Sequence, residues 1–190
     1  MSTHCPLPAP PRTPHPRRSG NTHSRCSAER VFEYFSGRDR TPVAIMRLNY
    51  AVDLRYGVLL DIGRCVWQRR PVPLAMGAVN VIWQGDANSI ILRALALASS
   101  PPLILNVTGP ETLRVRSIAE RFGELFRIEP RFEGREAETA LLNDSSLCRR
   151  LLGPPSVAAA DMIQRQAEWS VAGLPTLDKP THFEVRDGAF

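Results

Sequence analysis

Two apolar patterns alternate along most of this 190-residue chain, and this alternation limits the folds open to it. Helix-like spacing of apolar residues covers 24–36, 58–68, 86–98 and 115–125, and extended apolar runs cover 42–48, 78–83 and 102–107. Such alternation is typical of a parallel sheet whose faces are covered by helices. We therefore predict an α/β fold.

The pattern weakens toward both ends of the chain. Beyond residue 127 we expect a strand at 130–132 and short helices at 145–152 and 158–171. The predicted domain spans 21–172, and residues 173–190 are expected to form a surface tail. Residues 1–20 hold six of the 17 prolines and little apolar bulk, so they are expected to be disordered.

The first predicted helix carries an apolar face. Ala28, Val31, Phe32 and Phe35 recur at i, i+3, i+4 and i+7, which predicts that this face is buried. Asp86 stands near the start of a later helix, where we expect its carboxylate to cap the helix.

Charge and cysteine spacing exclude several classes of partner. The net charge is +5, and residues 1–30 contain five arginines against one acidic residue. A nucleic-acid surface normally clusters basic groups on the folded domain, so no nucleic-acid partner is predicted. The four cysteines lie far apart and predict no metal site. The sequence shows no secretory signal and no apolar run of membrane-spanning length, so a cytoplasmic, soluble protein is expected.

Four segments carry a resemblance to a known family. The segment 21–29 has the spacing of a Tyr-x-x-Ser-Lys-x-x-x-Glu motif, with Ser24 and Glu29 in place, Asn21 at the tyrosine position and Arg25 at the lysine position. The other three segments are Val43 to Tyr50 with Arg47 and Asn49, Ile82 to Ala87 with Asp86, and Leu105 to Gly109. In this order they resemble the C-terminal part of the NAD-dependent epimerase/dehydratase family, the extended short-chain dehydrogenases.

The resemblance implies a fold, a cofactor and a substrate class. It implies a partial Rossmann-like parallel sheet with covering helices and a smaller C-terminal part similar to a substrate domain. It also implies NAD(P) as cofactor and a nucleotide-sugar-like small molecule as substrate. The twelve glycines are never closer than six residues, so the chain has no Gly-x-x-Gly-x-x-Gly loop. We therefore expect the N-terminal dinucleotide-binding strands to be missing, and NAD(P) binding by this chain is doubtful.

The replacements at Asn21 and Arg25 affect the proton transfer that the resemblance would imply. In the family the tyrosine exchanges a proton with the substrate, and an asparagine side chain cannot do this near neutral pH. Arg25 could still offer positive charge to a cofactor ribose. Asn49 follows a predicted strand, and open α/β sheets bind ligands beyond the C-terminal ends of their strands, so Asn49 is a candidate substrate contact, with a turn-forming asparagine as the alternative. Asp86 is a further candidate substrate contact, although a helix cap or a group that supports the site is the favoured interpretation.

Two hypotheses follow. In the first, the chain is a truncated homologue of the family that is inactive alone. In the second, it is a non-catalytic module that binds a ligand or a protein. A sheet without its N-terminal strands exposes an edge, so association through this edge is also expected.

Overall fold

The computed structural model describes residues 20–137 and 139–185, with side chains from residue 28 onward. Six helices are present in this part of the chain: α1 (Gly20–Asp39), α2 (Val58–Trp67), α3 (Gln84–Ala94), α4 (Val115–Phe126), α5 (Ser146–Leu152) and α6 (Ala159–Val171). The strands are β1 (Ala44–Leu48), β2 (Ala51–Val52), β3 (Val72–Pro73), β4 (Ala78–Val79), β5 (Ile82–Trp83), β6 (Leu103–Val107), β7 (Leu113–Arg114) and β8 (Phe132–Glu133). The predicted α/β class is confirmed.

The longest strand pair is parallel. β1 and β6 run in register from Ala44 opposite Leu103 to Leu48 opposite Val107. The pairs β2–β5 and β3–β8 are also parallel, whereas β4 and β7 pair antiparallel. Because parallel strands end at the same edge, the residues that follow β1 and β6 are brought together.

Two apolar clusters stabilise the helices around these strands. The larger one joins α2, α4 and α6 through fully or nearly fully buried side chains such as Ile62, Phe122 and Met162. Burial of a side chain the size of Phe122 contributes about 1.5–3 kcal/mol. Gly63 lets α4 approach α2, since a Cβ there would lie 3.2 Å from the Phe122 ring. The second cluster packs α3 against β6 through Ile90 and Leu105.

The prediction of a buried face on α1 is wrong. Ala28, Val31, Phe32 and Phe35 are all exposed, and Phe32 keeps 58% of its surface accessible. The helix meets the rest of the domain through Glu29 and Ser36 instead. At 3.6 residues per turn these two positions lie roughly 100° around the helix from the apolar face. The apolar spacing therefore identified residues that share one face of α1, but it did not reveal that this face is exposed to solvent.

The described part of the C-terminal segment, residues 173–185, contains no helix or strand, yet it contacts the domain. Phe183 is buried, and the backbone N–H and hydroxyl of Thr181 both donate to the Asp61 carboxylate on α2. Arg64, also on α2, donates to Thr176 and Asp178. Residues 173–185 thus run along α2. The predicted N-terminal tail lies outside the described residues except for Gly20.

Among the described residues, no helix is both long enough and apolar enough to span a bilayer.

Candidate functional site

A cleft of about 410 Å³ opens at the edge of the sheet where β6 ends. Its lining residues are Asn80, Gly109, Pro110, Thr112, Leu142, Asn143, Asp144, Ser145 and Arg149. They come from the loop between β4 and β5, the loop after β6, the loop before α5, and α5 itself. In open α/β sheets this edge is where ligands bind, and the volume is in the range of small-molecule pockets.

Asn80 organises the floor of the cleft. Its side chain is buried, and its Nδ2 donates to the Asn143 carbonyl at 3.2 Å, while its Oδ1 accepts the Asn143 backbone N–H at 3.2 Å. Thr108, the residue after β6, donates its hydroxyl to the Asn80 carbonyl at 3.1 Å. Because this buried amide pairs with the Asn143 backbone in both directions, Asn80 fixes the loop that forms one wall of the cleft.

Asn49, predicted as a substrate contact, lies directly beside this network. It follows β1, and its Nδ2 donates to Asn80 Oδ1 at 3.1 Å and to the Leu141 carbonyl at 3.2 Å. Its side chain therefore supports the wall of the cleft. A direct contact between Asn49 and a substrate stays a prediction.

The wall before α5 is held from two sides. Asn106, in β6, donates to the Asp144 carbonyl at 2.9 Å. The Asp144 carboxylate accepts the backbone N–H and the hydroxyl of Ser146 at 2.8 and 3.0 Å. These hydrogen bonds hold the pKa of the exposed Asp144 below its usual value, so the group is ionised at neutral pH.

Gly109 allows the chain at the end of β6 to lie close to the backbone of Val81. A Cβ at this position would lie 2.1 Å from the Val81 carbonyl oxygen, inside van der Waals contact. Glycine is therefore required where the chain leaves β6 and enters the cleft.

Asp86 is used inside the protein and is not among the residues that line the cleft. Its carboxylate accepts hydrogen bonds from the Ser156 hydroxyl at 2.6 Å and from the backbone N–H groups of Ser156 and Val157 at 3.0 Å each. The prediction that Asp86 caps its own helix is wrong, because it secures the turn before α6. Its substrate role stays a prediction.

The segment 21–29, which resembles a catalytic motif, lies on α1. The backbone of Asn21 and Arg25 is helical, while their side chains lie outside the described residues. Glu29 of the same motif is described, and Arg47 donates to it through Nε at 3.0 Å and Nη2 at 2.6 Å. Two segments that were matched separately in the sequence are thus joined by a bidentate ion pair.

Few ionisable side chains line the cleft. Among its described lining residues they are the Asp144 carboxylate, which is ionised at neutral pH, and the Arg149 guanidinium group. The lining contains no histidine, the side chain that most often transfers protons in enzymes. The described residues also contain no group of three or more His, Cys, Asp or Glu side chains placed to hold a metal ion.

The described glycines do not form a dinucleotide cradle. Gly57 precedes α2 with a φ of 130°, yet a Cβ there would lie 2.9 Å from Val52 Cγ1. The backbone at Gly57 therefore lies close to β2 of the protein itself and does not face an open phosphate site. Gly57 therefore does not provide a cradle for a dinucleotide phosphate.

Sequence reasoning missed Asn80, Asn143 and Arg149. Asn80 was detectable, since a polar amide inside the apolar run from Val79 to Ile82 indicates a buried hydrogen-bonding role. Asn143 and Arg149 carry no such signal, because their roles depend on a loop whose course follows from tertiary contacts.

No protein-family model matches the sequence. No curated protein is significantly similar to it in sequence.

Solved structures share the fold at low sequence identity. An epimerase from Methanothermobacter thermautotrophicus superposes with a TM-score of 0.64 at 17% identity, covering 79% of this chain and 49% of that one. The UDP-glucose 4-epimerase of Thermotoga maritima, solved with UDP-glucose, gives 0.64 at 13% identity, with 80% and 53% covered. RMD from Pseudomonas aeruginosa, solved with NADPH, gives 0.66 at 15% identity, with 84% and 59% covered. The chain spans about half the length of these proteins, and its fold is the Rossmann-like fold of nucleotide-sugar epimerases.

Proposed function

We propose that this protein is an NAD-dependent epimerase/dehydratase-like protein that keeps a small-molecule cleft and is catalytically inactive on its own. The ligand class that best fits is a nucleotide-sugar-like molecule. UDP-glucose is present in one of the similar structures, and the cleft lies at the sheet edge where such folds bind ligands.

The composition of the cleft carries this proposal. It offers amide, hydroxyl and charged groups for hydrogen bonding from Asn143, Ser145 and Arg149, and its described lining contains no histidine. Asn21 and Arg25 stand where the family resemblance places the catalytic tyrosine and lysine. The absence of a glycine-rich loop from the sequence adds to this, since hydride transfer requires the dinucleotide.

The first test is binding without turnover. Calorimetric titration of UDP-glucose is expected to show binding, while chromatography of UDP-glucose incubated with protein and NAD is expected to show no conversion. Leu142→Trp fills the cleft and should abolish binding. Leu147→Trp is the matched control, because Leu147 is similarly exposed at 39% against 40% and does not line the cleft. Conversion of UDP-glucose by the purified chain would overturn the inactive assignment.

A second candidate function is protein binding, and the surface of α1 favours it. Val31, Phe32 and Phe35 are exposed on one helix face, and β1 pairs with β6 alone among the described strands. Exposed apolar faces and strand edges promote association. We therefore expect self-association that rises with concentration in light scattering, and that Phe32→Ser weakens.

Leu92→Ser is the control for this second candidate, since Leu92 is exposed on α3, away from α1. A compact monomer at all concentrations would count against protein binding through α1 and would leave the ligand-binding proposal unaffected.

A further inference from the structure

Arg149 places a positively charged side chain at the cleft. It lies on α5 and lines the cleft beside Asn143 and Ser145. Its Nε is buried and has no hydrogen-bond partner among the described residues. Most buried polar atoms in folded proteins are paired, so this Nε is an exception. The described residues provide no side-chain hydrogen bond and no ion pair for Arg149, whose side chain is only half-buried.

The carboxylate of Asp144, which lines the same cleft, does not pair with the Arg149 guanidinium group. Asp144 is close enough for Arg149 to contribute to the lowering of its pKa, but its two oxygens accept hydrogen bonds from Ser146 at 2.8 and 3.0 Å. No ion pair joins Asp144 and Arg149. Arg150, the next residue, is exposed to solvent. The Arg149 end of the cleft thus retains donor capacity.

We propose that Arg149 is a specificity-determining residue that binds a phosphoryl group of the ligand in this cleft. The inference rests on the proposed function and names the part of the ligand that this end of the cleft selects. A guanidinium group binds phosphate oxygens through two parallel N–H donors, which a neutral ligand cannot exploit. The hydroxyl groups of Ser145 and Thr112 line the same cleft and add donors for the remaining oxygens.

The residues around Arg149 hold its backbone in place. The Arg149 backbone N–H donates to the Ser145 carbonyl at 3.0 Å, and the adjacent Cys148 is buried against α3 and β6. The loop before α5 is held by Asn80 and Asn106. The guanidinium group therefore starts from a fixed backbone, which lowers the entropic cost of binding.

The experiment compares ligands that differ in the phosphoryl group. The probes are UDP-glucose, UDP, inorganic phosphate and uridine, titrated calorimetrically into the full chain. UDP and UDP-glucose are expected to bind, uridine at least about tenfold more weakly, and affinity for UDP should fall with added salt. Phosphate binding alone would show that a free anion suffices and that the nucleotide adds nothing.

Three variants place the effect on one side chain. Arg149→Met should weaken UDP binding at least about tenfold, Arg149→Lys should recover part of the loss, and the exposed neighbour Arg150→Met should change it less than about twofold. Circular dichroism is used to check that each variant is folded. Should Arg149→Met be unfolded, the comparison of UDP with uridine in the unaltered protein decides.

The outcomes separate the two proposals. If UDP-glucose binds but neither Arg149→Met nor the loss of the phosphoryl groups weakens binding, the Arg149 assignment is overturned and the cleft function stands. If phosphate binds through Arg149 and UDP-glucose does not bind more tightly, the nucleotide-sugar assignment falls and the Arg149 site stands. If no probe binds, both are overturned.

Discussion

Arg47 of β1 holds Glu29 of α1 through two hydrogen bonds of 3.0 and 2.6 Å, across 18 residues of sequence. The hydrogen bonds from Arg47 are the main cause that lowers the pKa of Glu29 from its ordinary value of 4.5, and partial burial opposes them. The ion pair therefore ties the helix of the degenerate motif to the sheet.

The first prediction concerns acid stability. Because the folded-state pKa of Glu29 is lowered, its contribution is complete above the unfolded-state pKa and is lost as pH falls through the folded-state pKa. The pair is partly exposed, so Glu29→Gln should cost less than about 1 kcal/mol at pH 7. It should also flatten the acid side of the stability curve measured by urea unfolding between pH 3 and 7. Glu33→Gln on the same helix is the control, and an equal effect from it would argue against the pair.

The second prediction concerns the floor of the cleft. Asn80→Ala removes an amide that donates a hydrogen bond to the Asn143 carbonyl and accepts one from the Asn143 backbone N–H. Leaving these groups without partners should cost about 1–3 kcal/mol and speed hydrogen exchange at residues 141–145. Asn88→Ala, an exposed asparagine on α3, should change neither quantity. Unchanged exchange in Asn80→Ala would mean that the loop is held by other contacts.

The third prediction concerns the glycine after β6. In Gly109→Ala the new methyl group would collide with the Val81 carbonyl oxygen at 2.1 Å, so we expect a loss of at least about 1–3 kcal/mol in unfolding free energy. Gly37→Ala is the matched control, because nothing lies within 4 Å of a Cβ there and the position is helical. That variant should be neutral or slightly stabilising. Equal stability of the two would show that the β6 end adjusts freely.

The fourth prediction separates two roles of Asp86. As the acceptor of three hydrogen bonds from Ser156 and Val157, it should contribute about 1–3 kcal/mol to stability. Asp86→Ala should therefore lower the unfolding temperature while leaving UDP-glucose affinity within about twofold. A large loss of affinity at full stability would instead favour the substrate contact inferred from resemblance.

Sequence periodicity predicted the secondary structure more closely than it predicted the contacts. The helix predicted at 58–68 is α2, the strand at 102–107 is β6, and the helix at 158–171 is α6, each within about two residues. The exposed Val31 and Phe32 show the limit, since spacing along a helix does not reveal which neighbour covers it.

The cleft depended on long-range contacts that periodicity does not encode. Asn49 was singled out because it follows a strand, and the structure places it 31 residues away in sequence from its partner Asn80. Arg149 has no local pattern at all. Its place beside the β6 end depends on contacts of Asn80 and Asn106 with the loop before α5.

The walls of the cleft and the catalytic motif occupy separate stretches of the chain. Residues between Asn80 and Arg149 line the cleft, whereas Asn21 and Arg25 lie on α1, whose apolar face is exposed. Substitutions accumulating on α1 would leave the hydrogen bonds around Asn80 untouched. Changes on α1 and changes in the cleft are therefore expected to have separable effects on the protein.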